Sequence, residues 1–181
     1  MQLNYVPDPD PRRSRLVSHG SVSMALQVRM ATAGDVAAIV ENNCRLALET
    51  EQVHLDADVV RSGVERGLAL APEVLYFVAD LEGVTIGQVM FTREWSDWRN
   101  GWMAWLQSVY VVEACRGQGV FRQLLESAVE KLIEDCNPVC LRLYVEQANE
   151  TAIRCYRRLG FAAGHYNVME RPLRRPDAGF Q

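Results

Sequence analysis

Toward the C-terminal half of this chain the apolar residues fall in pairs that recur every four positions: Val120, Phe121, Leu124, Leu125, Ala128, Val129, Leu132 and Ile133. That spacing is the stripe of a helix buried along one face, and it predicts a helix over about 119–135. The run before it, Met103 to Val112, is apolar and rich in β-formers, and it predicts a strand over about 102–111. Pro138 opens a second such run and predicts a strand over about 139–146. Asn149 is a good helix N-cap and Gly160 sits where a terminating glycine belongs, so a helix over 150–158 follows. A last strand is expected over 161–169. Upstream, a strand over 26–31 runs into a helix over 33–48, where Thr32 and Asp35 approximate a capping box. Asp56 or Asp58 caps a second helix that reaches about Leu70 and is ended by Pro72. Leu75–Asp80 and Val84–Met90 read as a hairpin joined through Leu81-Glu82-Gly83. Antiparallel strands followed by a βαβ crossover give an α/β fold with a mixed sheet, and no internal repeat is visible.

Between the strand and the striped helix lies Arg116-Gly117-Gln118-Gly119-Val120-Phe121. Glycines let backbone N–H groups approach a ligand, and a helix N-terminus adds a partial positive charge, so such a turn suits phosphate. Arg116 adds a cation capable of a bidentate contact. The turn lacks the Gly-Lys-Ser/Thr of a nucleotide-binding P-loop, and position 122 lacks the third glycine of the dinucleotide fingerprint. On its own it reads equally well as a tight turn with a solvated charge.

Composition narrows the field. The chain has 181 residues, 49% of them hydrophobic, which suits one globular domain with a sizeable core. A net charge of −4 argues against nucleic acid as the main partner. No apolar run approaches the ~20 residues of a membrane span, and the N-terminus has no hydrophobic core of a secretory signal. Five cysteines without a C-x-x-C pair read as reduced thiols of a cytoplasmic protein. Residues 1–23 differ: Pro7, Pro9 and Pro11 alternate with Asp8 and Asp10 before Arg12, Arg13 and Arg15. They read as a disordered extension without a catalytic role, which leaves 24–181 as one domain.

The R-G-x-G turn, followed one βαβ unit later by Asn149-x-x-Ala152-x-x-x-Tyr156-x-x-x-Gly160-Phe161, resembles the GNAT N-acetyltransferases. The likeness runs from about Met24 onward and includes a bacterial subgroup whose acceptors are mostly unassigned. It implies a mostly antiparallel sheet whose central parallel strand pair splays apart to admit acetyl-CoA as co-substrate. Carried over by position, the backbone of Val109, Tyr110 and Val111 would meet the pantetheine arm and polarise the thioester carbonyl. The amides of Gly117, Gln118, Gly119, Val120 and Phe121 would hold the pyrophosphate with Arg116 beside it. Asn149 would meet the pantetheine end, and Tyr156 would protonate the departing thiolate. Two positions depart from the family pattern: Phe121 stands where Gly or Ala is usual, and Glu113 replaces a common proline.

Each role has a plainer rival. Tyr156 lies on the apolar stripe Ala152, Ile153, Tyr156, Leu159, where a core aromatic is the default. Asn149 serves as a cap in either case. Cys115, Cys155 and His54 read best as packing or surface residues. For the general base, Glu94 and Asp97 in the loop before the fourth strand and Glu146 at the end of the fifth are the candidates. Trp95, Trp98, Trp102 and Trp105 crowd the same stretch, as core, as dimer interface or as the wall of an acceptor pocket. With Glu49, Glu51, Asp56, Glu94 and Asp97 the acceptor side reads as acidic, which favours a cationic acceptor. The expectation is therefore an N-acetyltransferase that acts on a small-molecule primary amine by direct transfer in a ternary complex, without a metal. The resemblance also implies homodimerisation. A non-catalytic acyl-CoA sensor and a protein or peptide N-acetyltransferase are the alternatives.

Overall fold

The computed structural model describes residues 26–169 together with Arg171 and Leu173. The 1–23 extension lies outside the described residues. Among the described residues five strands form one sheet in chain order: β1 (Leu26–Met30), β2 (Val74–Leu81), β3 (Val84–Ser96), β4 (Gly101–Val111) and β5 (Cys140–Leu143). All neighbours are antiparallel except β4 and β5, which are parallel because a helix carries the chain back between them. That helix is α3 (Val120–Cys136); α1 (Val36–Glu51) and α2 (Ala57–Ala69) precede β2, and α4 (Glu150–Arg158) follows β5.

The helices divide between the two faces of the sheet. On one face Leu124, Leu125, Ala128 and Leu132 of α3 pack on Phe77, Val89, Phe91, Ala104 and Leu106, and Tyr156 of α4 with Leu159 just after it closes the same core. The buried stripe is narrower than expected, for Ile133 is 52% exposed. On the other face Val36, Ile39 and Val40 of α1 and Val64 of α2 pack on Tyr76 and Val78. A buried amide relay ties α1 to β3, with Asn42 Nδ2 donating to Gln88 Oε1 and Gln88 Nε2 to Asn43 Oδ1 (3.1 and 2.8 Å). Leaving these buried amides unpaired would cost several times what a solvated pair contributes.

Local signals explain most of the element ends. Asp56, not Asp58, caps α2 by accepting from the N–H groups of Asp58 and Val59. Glu82 and Gly83, both at positive φ, make the two-residue turn between β2 and β3. Gly101 opens β4 where a Cβ would lie 2.5 Å from Val139 Cγ1, so the start of β5 can approach only a residue without a side chain. Three expectations need correction. β3 runs on to Ser96, so Glu94 is a strand residue and not a loop residue. β5 ends at Leu143, well short of 146. No strand forms over 161–169: Ala162, Ala163 and Gly164 are poor strand formers, and Tyr166, Val168 and Met169 stand exposed.

One cation fastens the first strand. Arg29 on β1 donates from both Nη atoms to Asp35 (2.8 Å each) and from Nη2 to Asp80 on β2 (3.0 Å). Asp35 also accepts from the N–H and hydroxyl of Thr32, which completes the capping half of the turn into α1. The bond to Arg29 holds the Asp35 carboxyl down, from an ordinary 3.8 to about 2. Because the folded value lies below the unfolded one, the stabilisation is full above pH ~4 and is lost as pH falls toward 2. Asp35→Asn is expected to cost about 2 kcal/mol at pH 7, and the difference from the parent should close near pH 2. Denaturant titration of both proteins at the two pH values measures it.

Candidate active site

The glycine turn is built by backbone conformation. Gly117 and Gly119 have φ of +75° and +83°, and a Cβ at either would meet nothing within 4 Å, so conformation and not space selects glycine. Gly119 is the N-cap of α3, and the first helical bond runs from the N–H of Gln123 to its carbonyl. The N–H groups of Val120, Phe121 and Arg122 therefore have no acceptor within the helix and face the space before it. Gln118 Nε2 donates to the Ala114 carbonyl (2.9 Å) and braces the turn. Phe121 turns inward, edge-on to the Tyr156 ring at 5.8 Å, so the departure at this position leaves the amides in place.

Beside the turn the sheet opens. β4 and β5 pair from Met103–Cys140 to Leu106–Leu143 and no further, although β4 continues to Val111. Against β3 the register slips at the same place: Met90 pairs with Gln107 but Gln88 pairs with Tyr110, so β4 carries one extra residue. Ser108, at φ +47°, belongs to this bulge. The Val112 N–H donates to the Ile86 carbonyl (2.9 Å), and alternation along an antiparallel pair then turns the backbone groups of Tyr110 toward β3 as well. Those of Val109 and Val111 point the other way, into the gap that β5 leaves. The outcome is a strand edge with donors and acceptors to offer, running toward the glycine turn.

Arg116 also bonds to groups outside the glycine turn. Its Nε donates to the Val111 carbonyl (2.8 Å), its Nη2 to Glu49 at the end of α1 (2.6 Å), and its guanidinium lies 5.3 Å from the Tyr110 ring centre. The Tyr110 hydroxyl donates to the same carboxylate (2.8 Å). Although burial opposes it, the bonds from Arg116 and Tyr110 lower the Glu49 pKa. Arg116 thus crosses the mouth of the gap and joins β4 to α1.

Tyr156 sits on the α3 side. Gly160 N–H bonds to the Arg157 carbonyl and Phe161 N–H to that of Tyr156 (3.1 and 3.0 Å), a paired helix ending that swings Phe161 back over the Tyr156 ring. Burial between Phe121 and Phe161, with a smaller effect of Cys155, pushes the phenol up to about 12. It is therefore protonated throughout the neutral range. Among the described residues its hydroxyl has no hydrogen-bond partner. Asn149 caps α4 as expected, its side chain accepting from the Ala152 N–H (3.0 Å).

The tryptophans separate. Strand alternation puts Trp95 and Trp102 on the α3 face, where they meet edge to face at 5.2 Å, and puts Trp105 on the opposite face. Trp98 caps the turn between β3 and β4 and is 90% exposed. Trp95 and Trp98 therefore do not wall a common pocket with Trp105. On the face of Trp105 the indole N–H donates to Glu94, which also pairs with Arg142 of β5 (3.2 Å). The Arg142 guanidinium lies 5.5 Å from the Trp105 ring centre, and Tyr144 stacks on that ring at 4.5 Å. Gln107, bonded to Thr92, extends this floor toward the bulge. Glu146 stands exposed in the loop beyond β5, and Asp97 accepts from the Trp98 N–H within its own turn. Arg142, Tyr144 and the Glu49–Arg116–Tyr110 cluster escaped sequence reasoning, because each depends on which strands and helices meet.

This geometry agrees with the comparisons. Residues 41–161 match the acetyltransferase (GNAT) family. A solved structure described as a possible acetyltransferase of Clostridium difficile 630 is 37% identical, with a TM-score of 0.77 over 83% of this chain and 99% of that one. A structure described as a predicted acetyltransferase of Clostridium acetobutylicum, solved with acetyl-CoA, shares the fold at 16% identity, with a TM-score of 0.67 over 81% of this chain and 96% of that one. Acetyltransferase Atu2258 of Agrobacterium fabrum is 39% identical over 61 residues, which span 34% of this chain and only 42% of that relative. The chain belongs to the GNAT acetyltransferase family, enzymes of the acyl-transfer class that draw on acetyl-CoA.

Gly119→Ala forces an L-residue to φ +83°. It should lower stability by about 1–2 kcal/mol and, on the expectation that this turn holds the pyrophosphate, weaken acetyl-CoA binding roughly tenfold. Thermal unfolding and calorimetric titration with acetyl-CoA measure the two effects separately.

Proposed function

We propose that this protein transfers the acetyl group of acetyl-CoA to the primary amine of a small molecule by direct attack within a ternary complex. One observation carries the proposal: the β4 edge that β5 leaves without a strand partner, where Val109 faces the gap and only the Val111 carbonyl is met, by Arg116, leads to the free amides at the start of α3. An extended arm that ends in a pyrophosphate can use both at once. The arm would lie along the edge as an added strand, with its pyrophosphate on the amides of Gly117 to Phe121 and its thioester at the apex of the gap. Arg116, already at the mouth, would contribute charge there.

At the apex the acceptor approaches from the face of Trp105. An ammonium group must first lose a proton; Glu94 on that face, its carboxylate shared with Arg142 and Trp105, is the first candidate to take it, and Glu146, exposed beyond β5, is the second. The amine lone pair then attacks the thioester carbonyl, and an amide near Val109, on the side of β4 that faces the gap, steadies the oxyanion. The carbon–sulfur bond breaks as the C=O reforms, and Tyr156 donates a proton to the leaving thiolate. A phenol held near 12 is a reluctant acid but a permanently protonated one, which suits hydrogen bonding to a thiolate. The acceptor floor spans only three strands, a footprint that fits a small molecule.

Tyr156→Phe is expected to lower kcat about a hundredfold while leaving acetyl-CoA affinity within a factor of two. Thiol release with an amine panel, beside calorimetry with acetyl-CoA, tests this. Absence of acetyl-CoA binding by the parent protein would sink the reading. Binding without turnover of any amine or peptide would favour an acyl-CoA sensor.

A further inference from the structure

The face that carries Trp105 holds a feature whose chemistry points beyond a simple amine. Trp105 lies one residue before Leu106, and Tyr144 one residue after Leu143, the last residues of the parallel pairing. The cluster around them therefore borders the apex of the gap. Within it Arg142 spends Nη1 on Glu94; among the described residues Nη2 and Nε make no bond. The ion pair is open to solvent, with the Arg142 and Glu94 side chains 31% and 42% exposed. Yet the parts are held in place: Trp105 lies beneath the guanidinium and donates its N–H to the carboxylate.

Resting on the transferase reading above, we propose that the acceptor is an amino acid, whose carboxylate is bound by the unspent edge of Arg142 and whose amine is presented to Glu94. A guanidinium fork matches a carboxylate in plane and can hold it through two N–H groups, which an ammonium ligand cannot exploit. The neighbouring negative and positive charges of Glu94 and Arg142 meet the positive and negative ends of an amino acid, whereas a ligand carrying only an ammonium group would be repelled by Arg142. The acidic excess read from the sequence does not change this balance. Glu49 is neutralised by Arg116 and hydrogen-bonded by Tyr110, and Asp56 is occupied as a helix cap. Tyr144, 57% exposed and stacked on Trp105, offers a flat apolar surface to the amino-acid side chain.

The test compares L-amino acids with their decarboxylated amines, for example L-phenylalanine with phenethylamine, each with acetyl-CoA and thiol release as the readout. The parent protein is expected to favour the carboxylated member of a pair by tenfold or more in kcat/KM. Arg142→Gln should collapse that ratio toward one, mainly through KM, and Arg142→Lys should leave it intermediate because charge remains without the fork. Circular dichroism of both variants shows that they are folded. Equal or better turnover of the decarboxylated amines, or a ratio that Arg142→Gln leaves intact, overturns the inference while the transferase reading stands. Turnover of neither set also overturns it, and acetyl-CoA calorimetry then judges the transferase reading on its own.

Discussion

A strand edge left without a neighbour is the constraint on which the rest of the site depends. Backbone N–H and C=O groups away from a partner are costly unless water or a ligand meets them. Here the parallel pairing stops at Leu143 while β4 runs on to Val111, and the extra residue at Ser108 resets which groups face outward. Without the slip, Val109 and Val111 would turn their polar groups toward β3, and those of Ser108 and Tyr110 would face the gap in their place. The glycine turn and the start of α3 add their own unpaired amides at the end of the same edge. Two local irregularities, each unfavourable alone, become one continuous binding surface.

Around this opening the charges are arranged so that single arginines join parts of the chain far apart in sequence. Arg29 joins β1 to the entry of α1 and to β2, Arg116 joins the turn to α1, and Arg142 joins β5 to β3. The first is largely sheltered on its acidic side and contributes to stability. The other two are partly open to solvent, where an ion pair contributes ~0–1 kcal/mol, so their importance is geometric. They set where a cation stands at the mouth and at the apex of the gap.

Much of this was legible in the sequence. The α3 stripe, the glycines of the turn, the Asn149 cap and the Gly160 ending are local signals, and local geometry honours them. What escaped was tertiary. Glu94 reads as a loop residue because Glu-Trp-Ser-Asp-Trp looks like a connection, yet cross-strand pairing with β4 extends β3 through it. The four tryptophans looked like one cluster, but alternation sends Trp105 to the face opposite Trp95 and Trp102. The partners of Arg116 lie on α1 and β4, and no spacing announces them. The bulge did leave a trace: core-facing residues step by two from Ala104 to Leu106 and then by three to Val109. The absent last strand has its reason in Ala162-Ala163-Gly164, where the side chains that would hold a strand to its neighbour are missing.

Gly101 lies at the closed end of the parallel pair, and its bare backbone lets Val139 come within a distance that any Cβ would forbid. The two strands are thus pinched together at one end and free at the other, as the arms of tweezers are. A methyl group at 101 would add nothing to the opening itself, yet by prying the joined end apart it would alter the angle at which the arms diverge. The aperture of the site is set, in this sense, by an atom that is not there, at the far end from the chemistry.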